Sequence, residues 1–263
     1  VPLSTPTLAA NGLTLLSQRE SMTRAARQAA GTATGDLPHG AVVADLWSTD
    51  ESWREHLHRA LATGGPVVLL SSLGIDGPRH RDPYTQVLAD RERHARQAVP
   101  GALVLRLAPV VEDLAVYEGA LRAGVPIHHA YPAEPVAWLA ARDAVGVAAA
   151  ALRNGRTASV LEVAGGQEVT VTRLLEDYAR RLGAASPGLI PVPAEQLLAQ
   201  LEQVFGADSA AAVVGHQQWV GSVAGRTGRG AETVRRALGR EPTGWATAVA
   251  GLTAPLPPAP GTP

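Results

Sequence analysis

The chain contains no cysteine. Disulfides and thiolate metal sites are therefore excluded, and the redox compartment is left open. Lysine is absent as well: the 23 basic residues are all arginine, set against 24 acidic ones. The formal net charge of -1 gives no electrostatic reason to expect nucleic acid or an anionic membrane as a partner. No apolar run approaches the roughly 20 residues of a membrane span. The opening VPLSTPTLAANG lacks the basic-then-apolar order of a secretory leader. A cytoplasmic protein is the expectation. No HExxH or carboxylate cluster is found, so no metal is expected. No internal repeat is visible either.

What is present is core-forming material. The 263 residues are 46% hydrophobic, enough for one large domain or one domain with a smaller lobe. Ala, Gly, Pro and Arg are abundant, a bias of GC-rich bacterial genomes. Short β-rich apolar runs alternate with longer Ala/Leu/Arg segments, the pattern of a parallel α/β sheet. GLTLLS (Gly12 to Ser17) reads as a strand, and ESMTRAARQAAG after it as a helix with a Gly stop. AVVADLW, PVVLLSSL and ALVLRLAPV read as further strands. The last two are continuously apolar, as strands covered on both faces should be. ESWREHLHRALATGG is a helix between the first two of these. DLAVYEGALRAG reads as a helix ending at Gly124, and VPIHHAYPAEPVAW as a loop with room for a short strand. ARDAVGVAAAALRNG is an Ala-rich helix, ASVLEVAGG a strand and VTRLLEDYARRLG a helix. PVPAEQLLAQLEQVFG and AETVRRALGREPTGW read as helical, and GRTGRG as a turn. The tail TAPLPPAPGTP is Pro-rich and expected to be disordered. The expected division is a core over 1–163, a mainly helical lobe over 164–251 and the tail over 252–263.

The stretch from Val67 to Leu114 reads as strand, loop, helix, strand, loop. In order it carries Ser71 and Ser72, Tyr84, Leu88 and Glu92. This resembles the core of the short-chain dehydrogenase/reductase superfamily in its atypical NmrA-like branch. There a Ser ends one strand, and a Tyr and a Lys four residues apart open the next helix. Arg142-Asp143, LEVAGGQEVTVTRLLEDYARRLG and GREPTGWATAVAG resemble later elements of the branch, so the likeness runs from about Ala41 to Gly251. It implies a Rossmann-like parallel sheet flanked by helices, with a small, mostly helical C-terminal substrate lobe.

Two family features are missing. Leu88 stands at the lysine position. Nothing before Ala41 has the Gly-rich spacing that lets backbone approach a pyrophosphate. If GLTLLS is the first strand, its turn is SQRES, whose side chains crowd that place. The region before Ala41 is also short for the usual strands, at roughly 30 residues per βαβ unit. The sheet is expected to be reduced at its N-terminal side, unless a Gly-rich segment lies upstream of these residues.

In the family the Tyr is the acid/base, the Lys lowers its pKa and the Ser orients the substrate oxygen. The resemblance therefore points to Tyr84, Ser71 and Ser72 as catalytic residues. His80, beside Tyr84 in the loop RHRD, is a further candidate, as a proton relay. Arg79 or Arg81 can replace part of the lost charge but, staying protonated, cannot relay a proton. Trp47, Val110, Glu112, His128, His129 and Trp138 are placed along the substrate cleft. Glu112 and Asp113 can serve as a base or as a cap. Adjacent histidines on an extended segment point opposite ways, so only one of His128 and His129 is expected to face inward. His56, His58 and His94 are expected to be solvated, and Trp219 and Trp245 to be core or pocket wall.

The leading expectation is a small-molecule enzyme without an obligatory hydride and with no cofactor. It would catalyse a cyclisation, dehydration or isomerisation, with secondary-metabolite tailoring as one setting. An NAD(P)H-dependent oxidoreductase whose cofactor loop lies outside these residues is the second reading. A non-catalytic sensor or regulatory binding protein is the third. A homodimer through helices beside the Tyr84 helix is compatible with the family.

Overall fold

The computed structural model describes residues 7–10, 13–17, 19–30, 37–47, 52–76, 83–185, 188–225 and 228–254. An antiparallel hairpin of β1 (Thr7–Ala10) and β2 (Leu13–Leu16) opens the chain's described part. It is followed by α1 (Glu20–Ala30), β3 (Ala41–Asp45), α2 (Ser52–Ala62), β4 (Val67–Ser72), α3 (Pro83–Ala98) and β5 (Leu103–Leu107). A 3-10 helix (Val111–Tyr117) then leads into α4 (Glu118–Ala123), β6 (Ile127–His129), α5 (Ala141–Arg153) and β7 (Val160–Val163). The sheet order is β1-β2-β3-β4-β5-β7, with every pairing after β1-β2 parallel. This is a Rossmann-like α/β sheet of five parallel strands with an antiparallel edge strand. Both β3 and β4 are buried at every position, which is why their sequences are apolar without alternation.

The sheet separates two cores. Leu13, Leu15, Val43, Val68 and Leu70 face α1 and α5. Leu16, Val42, Ala44 and Leu69 face α2 and α3. The crossovers β2-α1-β3 and β3-α2-β4 step the same way across the sheet, yet their helices lie on opposite faces. The two crossovers must therefore have opposite hands, against a strong preference for the right-handed form. Only residues 31–40 separate α1 from β3, too short a link to hold a further βαβ unit of roughly 30 residues. From β2 onward the described strands follow one another in sequence order. Among the described residues the sheet has no reversal of strand order, the switch point at which open α/β sheets bind dinucleotides.

The remainder is mostly helical: α6 (Val171–Arg181), α7 (Ala194–Phe205), α8 (Ala207–Ser222), α9 (Gly228–Leu238) and α10 (Trp245–Thr253). The short strand β8 (Leu189–Pro191) pairs parallel with β6, outside the main sheet. Several expectations are corrected. The strand β1 was not anticipated, and neither was α8. The predicted helix DLAVYEGALRAG divides into the 3-10 helix and α4. AETVRRALGREPTGW is not one helix, because Gly239 turns the chain at φ 65° and α10 begins only at Trp245. GRTGRG is not wholly a turn, since its last three residues open α9. The segment 31–36 and the tail from 255 lie outside the described residues. No described helix is long and apolar enough to cross a membrane.

Candidate active site

Parallel register brings the C-terminal ends of β2, β3 and β4 side by side. Asp45 ends β3 and is fully buried. Ser17 Oγ donates to its Oδ2 at 2.6 Å, and Arg19 Nε donates to the same oxygen at 2.7 Å. Its Oδ1 accepts from Arg19 Nη2 at 3.2 Å and from the Trp47 backbone N–H at 3.0 Å. Arg19 Nη1 continues to Asp113 Oδ2 at 3.4 Å. The other Asp113 oxygen accepts from Ser21 Oγ in the first turn of α1. Burial works against the Arg19 charge, but Asp45 and Asp113 outweigh it and hold its pKa above the ordinary value. Burial also pushes the Asp113 carboxyl up, and Arg19 and Ser21 offset this only in part. Burial thus favours the protonated form of Asp113.

A ring cluster sits against the network. The Arg19 guanidinium lies 5.0 Å over the Trp47 ring. Trp47 meets Tyr84 at 6.1 Å, His216 at 5.0 Å and Trp219 at 5.0 Å, all edge to face. Helix α8 supplies His216 and Trp219, and Trp219 Nε1 anchors it by donating to the Leu73 carbonyl at 2.9 Å. Glycine at 215 allows the close approach, since a Cβ there would lie 2.5 Å from Tyr84 Cβ. Burial, and then Arg19, lower the His216 pKa to about 3, so its ring is neutral at ordinary pH. Trp47 Nε1, His216 Nδ1 and Ser72 Oγ are buried without a hydrogen-bond partner, which is costly for each. On the far side Gln217 of α8 accepts from the Ala130 N–H at 2.6 Å and donates to the Tyr117 hydroxyl at 3.1 Å. Tyr117 in turn donates to Tyr131 at 3.5 Å. Burial raises the pKa of both phenols, Tyr131 by far the more.

The residues expected from the sequence divide between this chamber and other places. Tyr84 and Trp47 belong to this ring cluster, and Ser72 is buried at the end of β4, next to the Leu73 carbonyl that Trp219 bonds. Ser71 lies apart: alternation turns it to the other sheet face, where its hydroxyl donates to Glu92 Oε2 of α3 at 2.7 Å. Leu88 is buried one turn after Tyr84. Val110 is buried and bridges through its backbone to Leu139, so it is core rather than cleft. Trp138 is also core, its Nε1 donating to the Val169 carbonyl at 3.2 Å, with Tyr131 packed against it. Glu112 acts as a cap: its Oε2 accepts from the Ala141 N–H at 2.9 Å at the start of α5. Burial pushes its pKa up to about 7. His128 is exposed and bonded to Gln200 of α7, whereas His129 is buried against Tyr131. Alternation thus leaves one histidine inside. Burial lowers the His129 pKa. His80, Arg79 and Arg81 lie outside the described residues. His56 is not solvated; it is buried, with Nδ1 3.0 Å from the Asp45 carbonyl oxygen. Sequence reasoning did not single out Arg19, Asp45, His216 or Gln217. The available signals were an Asp closing an apolar strand and an Arg in a turn that usually holds glycine.

No family model and no curated protein matches the chain. Solved structures do. The NADPH-dependent quinone oxidoreductase of Escherichia coli, in complex with NADPH, superposes with a TM-score of 0.63 at 18% identity. The match covers 90% of this chain and 83% of that one. The triphenylmethane reductase of a Citrobacter species gives 0.60 at 12% identity, over 81% of this chain and 76% of that one. A nucleoside-diphosphate-sugar epimerase of Staphylococcus aureus gives 0.57 at 11% identity, again over 81% and 76%. The fold is therefore shared with these solved reductase and epimerase structures.

A dinucleotide on this fold places its pyrophosphate against the turn after the first parallel strand and the start of the following helix. The residues here do not fit it. Ser17 and Arg19 fill the turn with side chains. The Asp113 carboxylate already stands on the first turn of α1 through Ser21. With both carboxylates ionised, Arg19, Asp45 and Asp113 sum to one negative charge, which repels a phosphate. Among the described residues no cluster of His, Asp and Glu is arranged for a metal.

Proposed function

We propose that this chain is a small-molecule enzyme working by proton transfer at the ends of β2, β3 and β4, without a nicotinamide nucleotide. The observation that carries this reading is the buried Ser17-Arg19-Asp45-Asp113-Ser21 network in the place a pyrophosphate would need. Arg19 is the fixed cation on the Tyr84 side of the chamber, a role the family gives to the lysine replaced here by Leu88. The Tyr84 phenol donates a hydrogen bond to a substrate carbonyl oxygen, and Ser72 offers a second hydroxyl. Asp113 removes a proton beside that carbonyl and returns it to another carbon, or to a departing hydroxyl. The net result is an isomerisation or a dehydration with no change of oxidation state. Trp47, His216 and Trp219 suit an uncharged, planar substrate, since the network already carries the local negative charge. Titration with NADPH and NADH, followed by the fluorescence of Trp47 and Trp219, tests the reading. No saturation up to millimolar nucleotide is expected; micromolar binding overturns it.

A second reading is an NAD(P)H-dependent reductase. The solved quinone and dye reductases above favour it, both being described with bound NADPH or NADP(H). Under it the same titration saturates, and Tyr84→Phe slows nucleotide-dependent reduction of a quinone.

A further inference from the structure

Charge is distributed by a rule on most helices of this fold, and α7 and α8 break it. On α2, α3, α4, α6 and α9 an exposed acid pairs with an arginine one turn away, as Glu118 does with Arg122 and Glu232 with Arg236. From Ala194 to Gly215, across α7 and into α8, there are three acids, Glu195, Glu202 and Asp208, and no basic residue. Glu195 and Asp208 stand in the first turns of their helices, where negative charge is favoured. Glu202 has no such reason. It lies in the last turn of α7, where the free carbonyls are themselves negative and no basic side chain offsets them. Among the described residues it has no ionic partner.

The same turn is apolar on its surface. Leu197, Leu201, Val204 and Phe205 recur at i, i+4, i+7 and i+8, one stripe of α7. The stripe emerges from the fold along its length. Leu197 is buried, Leu201 half-buried, Val204 71% exposed and Phe205 62% exposed. Phe205 is the chain's one phenylalanine, and Val213 of α8 is exposed as well. We propose that this end of the α7-α8 hairpin docks a basic amphipathic helix of a partner protein. The apolar side of that helix covers Val204 and Phe205, and its cations meet Glu202 and the carbonyl end of α7. Charge selects this occupant. A second copy joined through the same face about a two-fold axis would set acid against acid. A helix with Arg or Lys beside its apolar stripe supplies both the missing cover and the missing cation.

The test uses the whole chain and two fluorescent peptides patterned as amphipathic helices, one of leucine and arginine, the other of leucine and glutamate. Anisotropy should show saturable binding of the arginine peptide, weakened by added salt, and none of the glutamate peptide. Phe205→Ser should weaken the arginine peptide about tenfold, and Glu202→Gln about threefold. Both positions are exposed, so the fold is kept. Val116→Ser, at a still more exposed valine on the 3-10 helix, should leave binding unchanged. Binding of the glutamate peptide as tightly as the arginine one, no effect of Phe205→Ser, or an equal loss in Val116→Ser would each overturn the proposal. So would dimerisation of the chain alone in sedimentation that Phe205→Ser abolishes, which would give the face to a second copy.

Discussion

Arg19 and Arg106 are built alike and situated differently. Each guanidinium is gripped by two acidic side chains, and each ties a helix to the end of a parallel strand. Both acids of Arg19 lie within the protein: Asp45 is fully buried and Asp113 is packed against Ser21. Arg106 has one buried acid, Glu92, and one largely exposed acid, Asp76. The first arrangement reaches solvent only through Arg19 and Asp113, whose side chains are 12% and 20% exposed. The second leaves an edge that solvent, or a solute, can reach. How many of the partners are sealed decides how far solvent and salt can screen such a centre.

Removing the arginines is the strongest way to break this contrast. Arg19→Met leaves Asp45 buried with only Ser17 and a backbone N–H, and should cost about 3–5 kcal/mol in urea unfolding. Arg106→Met should cost less, about 2–3 kcal/mol, because Asp76 is largely exposed and Glu92 keeps Ser71 and the nearby Arg96. A larger loss at Arg106 than at Arg19 would invert the comparison. A smaller effect concerns the acids near Arg19. The Glu112 pKa rises on folding from 4.5 to about 7, so the folded state prefers the protonated form. That preference stabilises the protein fully below the unfolded pKa and is lost as pH rises through about 7. The melting temperature should therefore fall between those limits, and the raised Asp113 carboxyl acts in the same direction. Glu112→Gln keeps an oxygen for the Ala141 N–H and should flatten the fall, gaining about 1–2 kcal/mol at pH above neutral. An unaltered pH profile in that variant would assign the slope to other groups.

The parallel sheet was legible because its strands are buried on both faces and so lack alternation, as PVVLLSSL and ALVLRLAPV show. Ser72 and Tyr84 were legible through a family pattern of order and spacing. Helix α8 was not. ADSAAAVVGHQQWVGS spreads small and apolar residues around all its sides, so no stripe marks it as amphipathic. With it went His216 and Gln217, which reach the chamber only because Gly215 lets the helix settle on α3. Ser71 and Ser72 cannot be told apart as a dipeptide; only the register of β4 assigns one to each face. Asp45 was hidden inside an apolar run, and its partner Arg19 lies 26 residues away in sequence. Networks of that separation leave no local pattern to read.

The placement of the phenols has a practical corollary. Of the four tyrosines, Tyr117 and Tyr131 are shifted upward by burial, and Tyr178 by burial and by the Glu118 carboxylate that its hydroxyl bonds. Those three should ionise late in an alkaline absorbance titration. Loss of that delay on mild destabilisation would be a label-free optical reporter of the packing around these rings.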